Sequence, residues 1–153
     1  MATADDAGRL AALMSELIEE VLARRGGKLL LGDDGVGPER EPVATQVDDV
    51  LADPVRLALV GTIDKVVIAF ALCHYEDVGV PGRRGILDAC YVEPGARGVG
   101  VGRLLLDTAL TWLADRRCRG VDGVALPGDR GAKSFFEASG FKARLLTMHR
   151  ELG

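Results

Sequence analysis

Cysteine is scarce in this 153-residue chain, which holds only Cys73, Cys90 and Cys118. The number is odd and no two stand at C-x-x-C spacing, which argues against a disulfide framework or a structural zinc centre. Long apolar runs are missing as well. None approaches the ~20 residues that a membrane-spanning helix needs, so no membrane association is expected. The opening residues, M-A-T-A-D-D, lack the basic-then-apolar order of a secretion signal, which predicts a cytoplasmic protein. Basic excess is absent too. The net charge is −4, and it gives no electrostatic footing for nucleic acid or an anionic membrane as partner. There is no internal repeat and no low-complexity tract.

What is present suffices for one domain over residues 1–153. Hydrophobic residues make up 48% and charged residues 27%, enough for a core at this length and for a soluble surface. Residues 4–24 carry Leu10, Leu13, Met14, Leu17, Ile18, Val21 and Leu22 at spacings of three and four, which predicts an amphipathic helix. Thr3 or Asp5 can cap its start, and Gly26-Gly27 ends it. Lys28–Leu31 reads as a short strand. Gly32–Pro42 is too rich in Gly and Pro for regular structure and suits a pocket wall. Gln46–Ala52 reads as a short helix.

Arg56–Thr62 and Val66–Glu76 read as two strands joined by a turn at Ile63–Lys65. The second is apolar almost throughout, as a strand covered on both faces would be. A polar loop, Asp77–Arg84, leads to a strand at Ile86–Val92. Val101–Arg116 reads as a helix with Leu104, Leu105, Thr108, Leu110 (or Trp112) and Leu113 facing the core. Val121–Leu126 reads as a short strand. Asp129 caps a helix that runs to about Ser139, Gly140 closes it, and Phe141–Leu152 is a final extended segment. The order is that of a mixed α/β sheet with helices on its faces.

Between the strand ending at Val92 and the helix starting at Val101 lies a loop with glycines at 98, 100 and 102. Such a loop brings several backbone N–H groups to one point. The helix behind it adds unpaired N–H groups and the positive end of its dipole. Together they make an anion site suited to phosphate or pyrophosphate. A dinucleotide fold would need G-x-G-x-x-G after the first strand. Here Gly98-x-Gly100 is followed by Arg103, past mid-chain, which speaks against it.

These residues resemble the GNAT acetyltransferases. Arg97, Gly100 and Gly102 meet the family's phosphate motif, [R/Q]-x-x-G-x-[G/A], with Val92 and Pro94 ahead of it. Ala132, Phe135, Phe136, Glu137, Gly140 and Phe141 meet a second motif, and the resemblance spans roughly residues 55–150. It implies a GNAT-like acyl-CoA N-acyltransferase fold, with helices on both faces of a central mixed, mostly antiparallel sheet. It implies acetyl-CoA (or another acyl-CoA) as co-substrate, no metal, and direct attack by a primary amine of a small molecule or peptide in a ternary complex. The cofactor's pyrophosphate would lie on backbone N–H groups of Arg97, Gly98, Val99, Gly100, Val101, Gly102 and Arg103. Main-chain groups of Val92 would hold pantetheine and polarise the thioester carbonyl. The cofactor arm would lie between the parted strands Ile86–Val92 and Val121–Leu126, with Phe136 packed along it. Members are often dimers, so a homodimer is an expectation. The alternative is a non-catalytic acyl-CoA-binding or regulatory module on the same fold.

The resemblance also orders the catalytic candidates. Members similar to spermidine acetyltransferases place a glutamate base four residues before the motif valine, and Asp88 stands there. The base position of histone-type members falls on Ile86. Strand alternation sets Ile86, Asp88, Cys90 and Val92 on one face, taken as the acceptor side. Asp88 is thus the candidate base and Glu76, on the neighbouring strand, a second candidate. His74 reads either as a base near neutral pH or, more often for a lone histidine in an apolar strand, as a satisfied structural residue, and His149 carries less weight still. Phe136 replaces the family's usual tyrosine acid and has no proton to give. Cys90 lacks a nearby histidine in its motif, which disfavours an acyl-cysteine route. Arg130 and Lys133 read equally as contacts to a further phosphate or as solvated charges.

Overall fold

The computed structural model describes residues 1–31, 43–79, 82–146, 148 and 150. A single turn at Ala4–Asp6 precedes helices α1 (Ala7–Leu22), α2 (Gly27–Leu31) and α3 (Val43–Ala52). Strands β1 (Arg56–Ile63), β2 (Val66–Asp77) and β3 (Arg83–Val92) follow, then helix α4 (Val101–Asp115), strand β4 (Cys118–Gly123) and helix α5 (Arg130–Ala138). The sheet order is β1-β2-β3-β4. β2 pairs antiparallel with β1 and β3, and β4 joins β3 in parallel. This is the mixed α/β sheet that the element order predicts.

The β1–β2 hairpin turns on Asp64 and Lys65, both at positive φ (49° and 67°). A two-residue loop needs that geometry to match the strands' twist. β2 then explains its own apolar sequence by being covered twice. Ala69, Ala71 and Cys73 pack with Leu57, Leu59 and Leu87 under Leu105, Leu106, Ala109 and Leu113 of α4. Phe70 and Leu72, on the other face, pack with Ala58 and Tyr91 under Leu10 and Leu13 of α1 and Val47 of α3. Each fully buried leucine, valine or phenylalanine among these contributes roughly 1.5–3 kcal/mol. The α4 stripe differs from the expected one. Leu106 is fully buried while Leu104 is 67% exposed.

α4 sits close on β3 because Gly85 leaves room for it. A Cβ there would meet Leu113 Cδ1 at 2.8 Å and Val121 Cγ2 at 3.2 Å. Gly85→Val is therefore expected to cost about 1–3 kcal/mol by overpacking. A denaturant midpoint that falls at unchanged slope would show it. An unmoved midpoint would mean that α4 is not seated on β3 in this way.

Four expectations need correcting. Lys28–Leu31 is not a strand but part of the short helix α2. α1 ends at Leu22 with Ala23 as its cap, ahead of the expected Gly26-Gly27 stop. After a turn, Gly26 at φ 80° redirects the chain, and Leu30 N–H bonds straight back to Gly26 O at 3.0 Å. The strand expected at Val121–Leu126 starts earlier, at Cys118, because its parallel ladder runs along the first half of β3, from Arg83↔Cys118 to Leu87↔Gly123. The final extended segment forms no strand in its described part, residues 141–146, 148 and 150. Its positions 147, 149 and 151–152 lie outside the described residues, as does Gly32–Pro42. Among the described residues no helix is long and apolar enough to cross a membrane.

Candidate functional site

The site begins where β4 stops pairing. β3 continues past Leu87, the last residue matched to β4, so its Asp88–Val92 half has one open edge. Glu93 N–H donates to Ile68 O at 2.9 Å. The antiparallel ladder alternates every residue, so the main-chain groups of Tyr91 also face β2 while those of Cys90 and Val92 face the open edge. The sequence thus supplies main-chain groups on β3 that no strand pairs, the Val92 carbonyl among them being taken by Arg97 at 2.9 Å. Pairing stops at Leu87↔Gly123, where β4 itself ends, short of the Leu126 expected from the motifs.

The same half of β3 carries a bulge. Leu72 faces Ala89 but Cys73 faces Leu87, which leaves Asp88 as the extra residue. The expectation that Ile86, Asp88, Cys90 and Val92 share a face fails for this reason. Cys90 and Val92 pack toward α4 with Leu87, whereas Ala89 and Tyr91 pack toward α1.

Beyond Val92 the turn Pro94–Ala96 leads into the glycine loop. Gly98 and Gly100 have φ of 87° and 90°, a backbone that side-chain-bearing residues adopt at a cost. Gly100 is the residue that enters α4. The first intrahelical bond runs from Leu104 N–H to Gly100 O at 3.1 Å, so the N–H groups of Val101, Gly102 and Arg103 precede the ladder. Val99 is 65% exposed. Gly102 packs against Val92, whose Cγ2 lies 3.2 Å from where a Cβ would sit. Loop and open edge therefore touch.

The loop's two arginines are otherwise engaged. Arg97 donates through Nε to Val92 O at 2.9 Å and through Nη2 to Glu20 at 2.7 Å. Arg103 donates to both oxygens of Asp107 at 3.0 Å and to Ala138 O at 3.0 Å, which ties α4 to the end of α5. The donors left facing outward are main-chain N–H groups. α1 steadies the lead-in from behind. Arg9 bonds Val67 O at 2.9 Å and pairs with Glu93, and Tyr91 donates to Glu16 or Glu20 at 3.2 and 3.3 Å. Sequence reasoning did not find this brace, because its residues lie far apart in the chain.

α5 closes the other wall. Asp129 accepts from Ala132 N–H at 2.9 Å, and Gly140 at φ 84° ends the helix, both as expected. Phe136 lies over Gly123, where a Cβ would come within 2.9 Å of its ring, and 5.0 Å from the Phe141 ring. Phe135 packs on the same cluster. Lys133 pairs with Glu137 at 3.7 Å, and Arg130 is exposed.

The two candidate carboxylates are brought together by the residue that was given a structural reading. His74 Nδ1 lies 2.8 Å from Asp88 Oδ2, and its Nε2 lies 3.6 Å from Glu76 Oε1. His74 and Glu76 are two apart on β2, and Asp88 is two from Ile86, the ladder partner of His74, so all three share one face. That i, i+2 spacing was the available signal. Arg84 bonds Glu76 at 2.8 Å. Chiefly through that bond, the Glu76 carboxyl is held below its usual value. The arrangement can accept a proton on the imidazole and hold the resulting cation between two carboxylates.

Burial disfavours Cys90 as a nucleophile. Burial pushes its thiol up to about 11, and burial, with Asp88 next, pushes Cys73 up to about 12. Both values exceed that of an unfolded cysteine, ~8.5. The protonated thiols therefore favour the fold below about pH 8.5 and that contribution is lost as pH rises through the folded values. At about pH 8 both thiols are expected to resist iodoacetamide until the protein unfolds. Prompt labelling of Cys90 in the folded protein, read by mass spectrometry, would reopen the acyl-cysteine route.

The family model described as acetyltransferase (GNAT) family matches residues 27–141. No curated protein matches the chain in sequence. Among solved structures, a tetramutant of the BH1408 protein from Bacillus halodurans shares 18% identity at a TM-score of 0.81, over 99% of this chain and 97% of that one. A predicted acetyltransferase with acetyl-CoA from Clostridium acetobutylicum shares 17% identity at a TM-score of 0.72, over 98% and 92%. A ribosomal-protein-alanine N-acetyltransferase from Brucella melitensis shares 19% at 0.68, over 97% and 94%. At such identities the likeness is one of fold.

Proposed function

Because the chain belongs to the GNAT acetyltransferase family, we propose that it transfers an acetyl group from acetyl-CoA to a primary amine of a small molecule or peptide. The observation that carries this reading is the contact between an open strand edge and a cluster of free helix N-terminal N–H groups. One polar edge and one anion cradle, side by side, suit a ligand with an amide-bearing arm and a pyrophosphate.

Backbone N–H groups from Gly98 to Arg103 would hold the pyrophosphate. Main-chain groups of Cys90 and Val92 would take the arm, with an N–H of that edge near the thioester oxygen as charge develops there. The arm would pass Phe136. Bound acetyl-CoA supplies the thioester at which a nitrogen–carbon bond forms and a carbon–sulfur bond breaks. The ammonium form of the acceptor must first give up a proton. Asp88 lies four residues before Val92, roughly 13 Å along the strand at about 3.3 Å a residue, so the proton travels through water to the Asp88–His74 pair. Arg84 keeps Glu76 ionised beside His74. Phe136 has no proton for the leaving thiolate, which takes one from water. None of these steps calls on a metal. A single domain over 1–153, a cytoplasmic location and a homodimer complete the reading.

Thiol release from acetyl-CoA over a panel of primary amines tests it. Amine-dependent release is the expected result. Tight acetyl-CoA binding with no release across the panel would favour the second reading, a non-catalytic acyl-CoA-binding module, for which Phe136 in the acid's position is the supporting observation.

A further inference from the structure

At the far end of α4 the chain gathers positive charge that the acyl-transfer reading does not use. A cavity of about 510 Å³ is lined by Asp77, Gly82, Arg83, Arg116, Arg117 and Arg119. Four arginines and one aspartate line it, in a chain whose net charge is −4. The arginines come from three elements. Arg83 opens β3, Arg116 and Arg117 follow α4, and Arg119 is in β4.

Two of the four are fixed in place. Arg83 donates to Asp77 at 2.9 Å and to Arg116 O at 3.3 Å, and its guanidinium lies 4.5 Å from the Tyr75 ring centre. Arg116 donates to Trp112 O at 3.2 Å and stacks 3.6 Å over the Trp112 ring. The guanidinium groups of Arg117 and Arg119 have no hydrogen bond or ion pair among the described residues. Arg117 also holds a positive φ of 62°, in the position after a helix that glycine usually fills. Cations are favoured at a helix C-terminus, which accounts for Arg116 and Arg117. It does not account for Arg83 and Arg119, which β3 and β4 bring to the same hollow.

We infer that this cavity binds a phosphate-bearing polyanion. Guanidinium forks match phosphate oxygens two at a time, and two anchored forks with two free ones suit several phosphates better than a lone carboxylate. The volume falls in the range of small-molecule sites, about 300–1,000 Å³. The source is either inorganic polyphosphate or the phosphate chain of a nucleotide. The site is separate from the glycine loop, since α4 puts roughly 16 Å between Val101 and Trp112 at about 1.5 Å a residue. It stands whether or not the chain is an acetyltransferase.

Trp112 is the chain's one tryptophan, so its fluorescence reports on Arg116 directly. Titration with inorganic triphosphate at low salt is expected to give a saturable change with a dissociation constant below about 1 mM, weakening steeply as salt rises. Arg117→Gly combined with Arg119→Ser should weaken it at least ~10-fold, or one decade of affinity. The glycine suits the backbone at 117, so the melting temperature should not fall, and a folding defect cannot imitate the loss. Gly100→Glu should leave the titration unchanged, which separates this site from the loop. ATP binding at least ~10-fold tighter than triphosphate assigns the site to a nucleotide, and equal affinity assigns it to the phosphate chain. No saturable change up to about 10 mM triphosphate, or the same affinity in the double variant, would overturn the inference.

Discussion

Gly100→Glu should abolish acetyl-CoA binding, by at least ~100-fold, while the protein stays folded. Two effects act at this residue and they separate. The first is backbone strain. Gly100 sits at φ 90°, and a side-chain-bearing residue there costs roughly 1–2 kcal/mol. No heavy atom lies within 4 Å of where a Cβ would be, so no steric collapse is added and the fold should hold. The second is charge. A carboxylate about 4 Å from a phosphate, at an effective dielectric near 20, is repelled by roughly 4 kcal/mol. That is the larger effect, and it bears on the ligand alone. Gly100→Asn isolates the strain, since asparagine tolerates this backbone region and carries no charge. It should keep most of the affinity that the glutamate loses. Calorimetric affinity and melting temperature of the three proteins decide the matter. Unchanged affinity in Gly100→Glu would remove the loop from the cofactor site.

Asp88→Asn should lower turnover about 100-fold or more with acetyl-CoA affinity unchanged. The amide can still accept from His74 Nδ1–H across the 2.8 Å contact, so the imidazole keeps its place and loses only the carboxylate charge beside it. His74→Gln should have an effect of similar size, because it removes the proton acceptor. Glu76→Gln should matter less, since its nearest oxygen is 3.6 Å from the ring and Arg84 already occupies the carboxylate. A fall in kcat with KM for acetyl-CoA unmoved marks loss of a transition-state role. Full turnover in Asp88→Asn at every pH would take the residue out of the chemistry.

How much of this was legible in the sequence depended on whether a local cue existed. Gly98 and Gly100 announce themselves, because only glycine sits comfortably at φ near 90°, and Gly102 follows from the close approach of Val92; the loop lies where the glycines predict it. Asp129 and Gly140 bracket α5 for equally local reasons. β2 was legible as a twice-covered strand because both faces are apolar. What failed was non-local. Lys28–Leu31 carries a leucine run that suits a strand, yet Gly26 restarts the chain as a helical turn. β4 was set three residues late, because its start is fixed by pairing with Arg83 rather than by its own composition. The bulge at Asp88 has no sequence cue, and it sets Cys90 and Val92 on the face of Leu87, away from that carboxylate. His74 looks like a lone histidine until pairing with Ile86 sets Asp88 beside one nitrogen and strand periodicity brings Glu76 to the other. The brace of Arg9 with Glu93 and of Glu20 with Arg97 links residues 84 and 77 apart in sequence, distances over which no motif speaks.

The central claim is that the open edge of β3 and the glycine loop before α4 form one acyl-CoA site. Calorimetric titration of the unmodified protein with acetyl-CoA tests it most directly. The expected result is one molecule bound per chain at micromolar affinity. It should be accompanied by a melting temperature that rises several degrees, since ligand at ~100 times its dissociation constant adds about 2.7 kcal/mol of stability. Absence of both heat and thermal protection at about 1 mM acetyl-CoA would contradict it.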